Sequence, residues 1–363
     1  MKAGIVTLVG FENYGNRLQN YALSHILKSR FSCDAVTLRP MKEQPFYNGN
    51  YAAWLKEKIL QRLCVFPAAV EKKYGAKFTR WASFHKWNRH IPTRVLYGCD
   101  HIPAAVNDRY DCFFVGSDQV WNYRACPECF PDFFLKFAEG SKKAAISASF
   151  GVDAVPEAWK EIYVEGLKDF AHLSVRENAG RAIVKELTGK DVPVLVDPVM
   201  VLNREEWMKV SEKPRVDCSK CYVLKYYLGD DSESALIDAW AEENGYEVYE
   251  LLNESVPELY SAGPGEFISL ISNADLVCSD SFHCIAFSII FSRPFVVYAR
   301  QGAGDYMSSR LTTLLDKFGF QNRWKHLVHP EDYLKCDFSH VGKILEKERN
   351  EFLKYVGDVL RSR

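Results

Sequence analysis

The sequence predicts a parallel α/β protein, and three observations carry that expectation. Short apolar runs rich in Val, Ile and Phe recur along the 363 residues, helical patterns separate them, and polar or glycine-containing turns follow many of them. Two such series meet after "SASFG", which predicts two Rossmann-like domains facing a cleft, because ligands of open parallel sheets bind beyond the carboxyl ends of the strands. The expected division is 1–170, 171–335, and a C-terminal helix over 336–363 that packs back on the first domain.

In chain order, "AGIVTLVG" reads as the first strand and 16–28 as the first helix, followed by "DAVTL", "YDCFFVG" and "KKAAISASFG". A helix near 156–170 leads into "HLSVRE", "VPVLVDPV", "CYVLKYYLG", "YEVYELL", "ADLVCS" and "PFVVYA". One segment breaks this alternation. Between Met41 and Val95, eleven basic side chains meet three acidic ones, a balance of +8, with Trp54, Phe66, Tyr74, Phe78, Trp81, Phe84 and Trp87 interleaved. A helical basic insertion at about 41–100 in the first domain follows. It serves either as an amphipathic surface for anionic lipid or as a solvated hairpin with its aromatic residues turned inward.

A hydrophobic content of 47% suffices for two ordinary cores, and a net charge of −1 argues against wholesale nucleic-acid binding. No run is long enough to span a membrane, and "MKAGIVTLVGFENYGN" fits a strand better than a signal peptide. Eleven cysteines then read as reduced cytoplasmic thiols. The pairs "CPEC" and "CSKC" have knuckle spacing, but the distance between them exceeds that of usual zinc modules, so isolated thiols without metal are expected.

Candidate chemistry sits in the turns. In "SDSFHCIAFSIIFSRPFVV" a buried helix is expected to start near Ser281, which places His283 in its first turn, where an anion is favoured and a proton can be held or released near neutral pH. The same histidine also fits a core-edge residue bonded to a carbonyl. "GFENYGNRLQNYAL" lacks the dinucleotide glycine spacing and offers Asn13, Asn16, Arg17 and Gln19 to hydroxyls or carboxylates. "VGSDQVWN" combines Ser117, Asp118, Gln119 and Asn122 with the aromatic face of Trp121, a mixture suited to sugars, or else a capped helix start. Arg176, Arg300 and Arg310 near strand ends or a helix start can form an anion pocket, and Asp197 in "VDPV" either binds ligand or orients a loop.

Taken in order, "NYGNRLQNYAL", "FFVGSDQVWN", "ISASFG", "SVREN", "VLVDPV", "SDSFHCIAFSIIFSRPF" and "SSRL" resemble the polysaccharide pyruvyl transferase family over nearly the whole chain. The resemblance implies a GT-B-like scaffold with an acceptor-side first and a donor-side second domain. It also implies transfer of the enolpyruvyl unit of phosphoenolpyruvate to a saccharide as a cyclic ketal, in cell-surface polysaccharide or capsule synthesis. Phosphoenolpyruvate is a co-substrate, and no metal or other cofactor is implied.

His283 resembles the family's general acid and Arg176 a catalytic, donor-binding arginine. Arg300, with Arg310, Ser281 and Asn16, is assigned to the donor, and Asn13, Ser117, Asp118, Gln119, Trp121 and Asn122 to the acceptor. A lipid-linked acceptor implies a cytoplasmic enzyme peripheral to the inner membrane. Cys284 departs from the glycine usual after this histidine, which bears on the room left for the donor. Two rivals are a nucleotide-sugar glycosyltransferase, with Glu266 in "GPGEF" as ribose ligand, and a non-catalytic protein of the same fold.

Overall fold

Lys2–Val6 forms β1, whose Ala, Gly, Ile and Val residues are all buried, as expected of a central strand covered on both faces. In this computed structural model, which describes residues 1–10, 12–42, 75–229, 235–300 and 308–362, the chain continues through the helix Tyr14–Phe31 into β2 (Asp34–Met41). With β3 (Thr93–Tyr97), β4 (Cys112–Val115) and β5 (Lys143–Ala145) the sheet has the order β3-β2-β1-β4-β5. Every neighbouring pair is parallel. Beyond β5, single bridges from Ala144 to His172, Ala148 to Val175 and Val175 to Val194 carry "HLSVRE" and "VPVLVDPV" along the same direction. All these segments therefore release their following turns at one edge.

A second sheet has the order β7-β6-β8-β9, from β6 (Tyr222–Tyr226), β7 (Glu247–Glu250), β8 (Leu276–Ser279) and β9 (Phe295–Val297), again all parallel. Val223, Leu276, Cys278 and Val296 build its core with Ile237 and Tyr333. The chain thus forms two Rossmann-like units, each a parallel sheet with its own helices.

The division differs from the expectation. The described part of the first unit covers 1–42, 88–201 and 347–362, and that of the second covers 75–87 and 202–346. The boundary follows Val201, and 171–201 belongs with the first sheet because its strand-like segments bridge onto β5 and beyond. The C-terminal helix is Val341–Arg361; in its later part Tyr355 Oη donates to the Ala145 carbonyl at 2.8 Å and Arg349 Nε to that of Met200 at 2.9 Å.

The expected basic insertion is described only in part. Residues 43–74 lie outside the described residues. The segment 88–100 is not helical throughout: β3 pairs with β2 at the sheet edge, where half exposure leaves little periodic signal. The helix Ala76–Trp87 belongs to the second unit rather than the first. Its Phe84 and Trp87 are buried and its Phe78 and Trp81 half-buried, while Arg80 donates to the Tyr260 carbonyl at 2.8 Å and Lys86 meets Glu212 at 2.6 Å.

Candidate active site

The order of the first sheet reverses between β1 and β4, the point where open α/β sheets bind ligands. The turns after these strands carry two of the sequence-selected groups. Asn13 caps the helix Tyr14–Phe31 by accepting from the Asn16 N–H at 3.1 Å, and Asn16 Nδ2 donates to Asp118. Gln19 Oε1 accepts the Ser117 N–H at 3.1 Å, while its Nε2 donates to Thr7 Oγ1 at 2.8 Å. Arg17 is buried and donates to the Leu8 carbonyl at 3.0 Å; burial, followed by repulsion from Arg39, brings its pKa down to about 10. Gly116 permits the sharp exit from β4, because its φ is 110° and a Cβ would sit 2.4 Å from the Ile146 carbonyl oxygen.

Arg176 anchors this edge. Its Nη1 donates to Asp197 Oδ2 at 2.6 Å and its Nη2 to Asp118 Oδ1 at 3.2 Å, with the side chain 1% exposed. Burial opposes the guanidinium charge, yet the Asp118 and Asp197 carboxylates outweigh it and hold the pKa above its ordinary value. Asp197 also accepts from Ser117 Oγ at 2.6 Å and from the Val199 N–H at 3.0 Å. The Arg176 fork is therefore committed to two carboxylates, and it positions the 117–118 and 197–199 turns. Asp197 orients a loop, the second of its two readings.

The residues expected on the acceptor side are mostly engaged within the first unit. Trp121 is 0% exposed, donates from Nε1 to the Phe133 carbonyl at 3.1 Å and packs against Phe134, Phe150 and Phe170, so it offers no face to a sugar. Ser117, Asp118 and Asn122 are buried, and Asn122 Nδ2 donates to Gln119 Oε1 at 2.6 Å. Of this set Asn13 is exposed and Gln119 half-buried, and Asp118 keeps 6% of its side chain open. Sequence reasoning also missed Glu177, a buried carboxylate accepting from Ser149 Oγ at 3.0 Å and from the N–H groups of Phe150 at 2.8 Å and Gly151 at 3.3 Å.

The second sheet reverses order between β6 and β8, and His283 stands at that point. Ser281 occupies the N-cap position of the ten-residue helix Phe282–Phe291, without a capping bond from its side chain, and its N–H donates to Ser279 Oγ at 3.0 Å. His283 is 6% exposed in the first turn of that helix, its ring edge-on to Phe282 at 5.3 Å between centroids. First-turn N–H groups point out of a helix end and favour negative charge there.

Asp280 ties three segments together. It accepts the N–H groups of Leu228 and Gly229, each at 2.8 Å, and Arg300 Nε at 3.1 Å. The Asp280 carbonyl takes Arg300 Nη2 at 3.3 Å. The carboxylate thus joins the turn after β6 to the segment after β9 directly before the histidine. Its place in "SDSFH" between an apolar strand and an apolar helix is the signal that could have found it. Arg310 is buried in the first turn of the helix Ser309–Phe318. Cys284, the departure from glycine, is 0% exposed, and burial pushes its thiol up to about 12 against the opposing effect of the Ser279 hydroxyl.

Glu266, the rival's ribose ligand, is engaged in its own helix. It accepts the Gly263 N–H at 2.9 Å, which ties back the first turn, and Arg215 Nε at 3.0 Å. Cys126 and Cys129 lie in the first unit and Cys218 and Cys221 in the second, and all four are free thiols.

No curated protein matches this chain. Among solved structures, UDP-GlcNAc 2-epimerase from Neisseria meningitidis bound to UDP-GlcNAc is 10% identical, covering 100% of each chain with a TM-score of 0.49. HepE from Anabaena in complex with UDP is 12% identical, with 100% of each chain covered and a TM-score of 0.46. ADP-heptose lps heptosyltransferase II from E. coli is 10% identical over 98% of this chain and 99% of its own, with a TM-score of 0.38. Membership rests instead on the sequence itself, in which the family's pattern runs from the helix cap at Asn13 through the Asp280–His283 turn to the segment after β9. Matching that pattern over residues 13–302, the chain belongs to the polysaccharide pyruvyl transferase family.

Proposed function

We propose that this protein transfers the enolpyruvyl unit of phosphoenolpyruvate to a saccharide and closes it as a pyruvate ketal, with His283 as the proton donor. The observation that carries the reading is His283 itself, a nearly buried histidine in the first turn of a helix at the switch point of the second sheet. The helix terminus and Arg300, held in place by Asp280, offer positive charge to the carboxylate and phosphate of the donor. Ser281 and Arg310 complete the donor side in this reading.

The chemistry balances without an added oxidant or reductant. A proton from His283 turns the methylene carbon of phosphoenolpyruvate into a methyl group and leaves the central carbon electrophilic. One acceptor hydroxyl adds there and returns a proton to the histidine. The carbon–oxygen bond to phosphate then breaks, a second hydroxyl closes the ketal, and its proton leaves with inorganic phosphate. Positive charge beside the departing phosphate lowers the barrier to that cleavage. Incubation of the protein with phosphoenolpyruvate and candidate saccharides is expected to release inorganic phosphate only when both substrates are present. Sugar transfer from a nucleotide sugar, with phosphoenolpyruvate left intact, would replace this reading by the glycosyltransferase one.

We place the acceptor on a lipid carrier at the cytoplasmic leaflet, in synthesis of a cell-surface polysaccharide such as a capsule. The support is the basic excess of residues 41–95, eleven basic side chains to three acidic, of which Arg80 and Lys86 are engaged within the second unit; each other basic group near an anionic surface contributes about 1 kcal/mol. No helix among the described residues is long and apolar enough to cross a membrane. Co-sedimentation with anionic vesicles is expected at low salt and should fade as salt rises. Charge reversal at Lys72, Lys73 and Lys77 should weaken it; unchanged binding in that variant would remove the segment from any membrane role.

A further inference from the structure

The turn Cys126-Pro127-Glu128-Cys129 has no part in the proposed transfer. Among the described residues, the sulfurs of Cys126 and Cys129 and a carboxylate oxygen of Glu128 all lie within 4.8 Å of one another. Both cysteines are partly accessible and Glu128 is exposed, so an ion from solvent reaches all three. The backbone already brings them to one side. Pro127 opens the 3-10 turn Pro127–Cys129, the Cys129 N–H donates to the Cys126 carbonyl at 3.0 Å, and the Phe130 N–H donates to that of Pro127. Little further ordering of the main chain would be required on binding.

We propose that Cys126, Glu128 and Cys129 bind a thiophilic divalent cation of the zinc class, with water as the fourth ligand. Tetrahedral zinc holds sulfur at about 2.3 Å and carboxylate oxygen at about 2.0–2.2 Å, so its ligand atoms stand roughly 3.5–3.8 Å apart. The present separations, all within 4.8 Å, exceed that spacing by roughly 1 Å at most. Two thiolates select zinc over magnesium or calcium, and the thiols release their protons to solvent as the ion binds.

The site would act as a structural clamp. The N–H groups of Ala125 and Cys126 donate to the Asn122 carbonyl at 3.1 and 3.5 Å, which joins the turn to the loop after β4. On its other side Phe130 packs against Phe134 and Trp159 at centroid distances of 5.1 and 5.9 Å. A bound ion therefore fastens the Gln119–Asn122 loop to the aromatic core of the first unit. Cys218 and Cys221, in the second unit, provide an internal control of the same spacing.

The test titrates the reduced, metal-free full-length chain with cobalt(II), then with zinc. A thiolate-to-cobalt charge-transfer band saturating at one ion per chain and bleached by zinc is expected, together with a melting temperature raised by zinc. Cys126→Ser/Cys129→Ser should lose both signals and Cys218→Ser/Cys221→Ser should keep both, with folding of each checked by circular dichroism. Should the first double variant fail to fold, Cys126→Ser alone is expected to lose the band. Glu128→Gln should retain the band with weaker affinity. Absence of a thiolate band in the wild type, or its persistence when Cys126 and Cys129 are replaced, overturns the proposal; wild-type affinity in Glu128→Gln removes the carboxylate from the ligand set.

Discussion

His283→Gln is expected to lower kcat for pyruvyl transfer by about 10²–10⁴-fold, the range contributed by a positioned general acid, while phosphoenolpyruvate binding changes little. The reason lies in where the charge goes. Glutamine keeps a polar side chain of similar reach at the helix mouth, and the helix terminus and Arg300 remain to hold the anion, but the amide cannot supply a proton. Loss in kcat and kcat/KM together marks an interaction made in the transition state, whereas a rise in KM alone would mark ground-state binding. The measurement is steady-state phosphate release, beside direct phosphoenolpyruvate binding and an unfolding curve for the variant. Undiminished turnover in a folded Gln or Ala variant would take His283 out of the mechanism.

For Arg176→Ala the expected effect is on the fold, a loss of about 3–5 kcal/mol, because removal of a buried charge strands its partners. Asp118 and Asp197 would both face a low-dielectric interior without the guanidinium that balances them, and the Asp197 carboxylate would keep only neutral donors such as Ser117 Oγ and the Val199 N–H. Arg176→Lys retains the charge but not the two-armed geometry and should fall between wild type and alanine. Urea unfolding reads the stability, and the KM for phosphoenolpyruvate in the folded lysine variant separates positioning from donor contact. Wild-type stability in Arg176→Ala with a raised KM would return the arginine to the donor site.

These two residues show what was legible in the sequence and what was not. The apolar strands, the helix after β8 and the position of His283 follow from local rules: alternation of short apolar runs with helical patterns fixes strand and helix, and the residue after a strand in a parallel sheet must emerge at its carboxyl edge. The missed strand β3 has the reverse cause, since an edge strand half open to water carries no buried pattern to read.

The sequence by itself determined the parallel α/β class, the family pattern and the apolar helix carrying His283, because these depend on periodicity and on residue order along the chain. Only the tertiary structure decided which polar side chains are committed internally. Arg176 and Trp121 look like ligand-binding residues in one dimension, yet the fold brings Asp118 and Asp197 to the first and Phe134, Phe150 and Phe170 to the second. It likewise gives Asp280 the turn after β6 and Arg300 to join, although Leu228 precedes it by 52 positions and Arg300 follows by 20. Hydrogen bonding and burial depend on proximity in space, and strand order in a sheet creates proximities that distance along the chain does not encode.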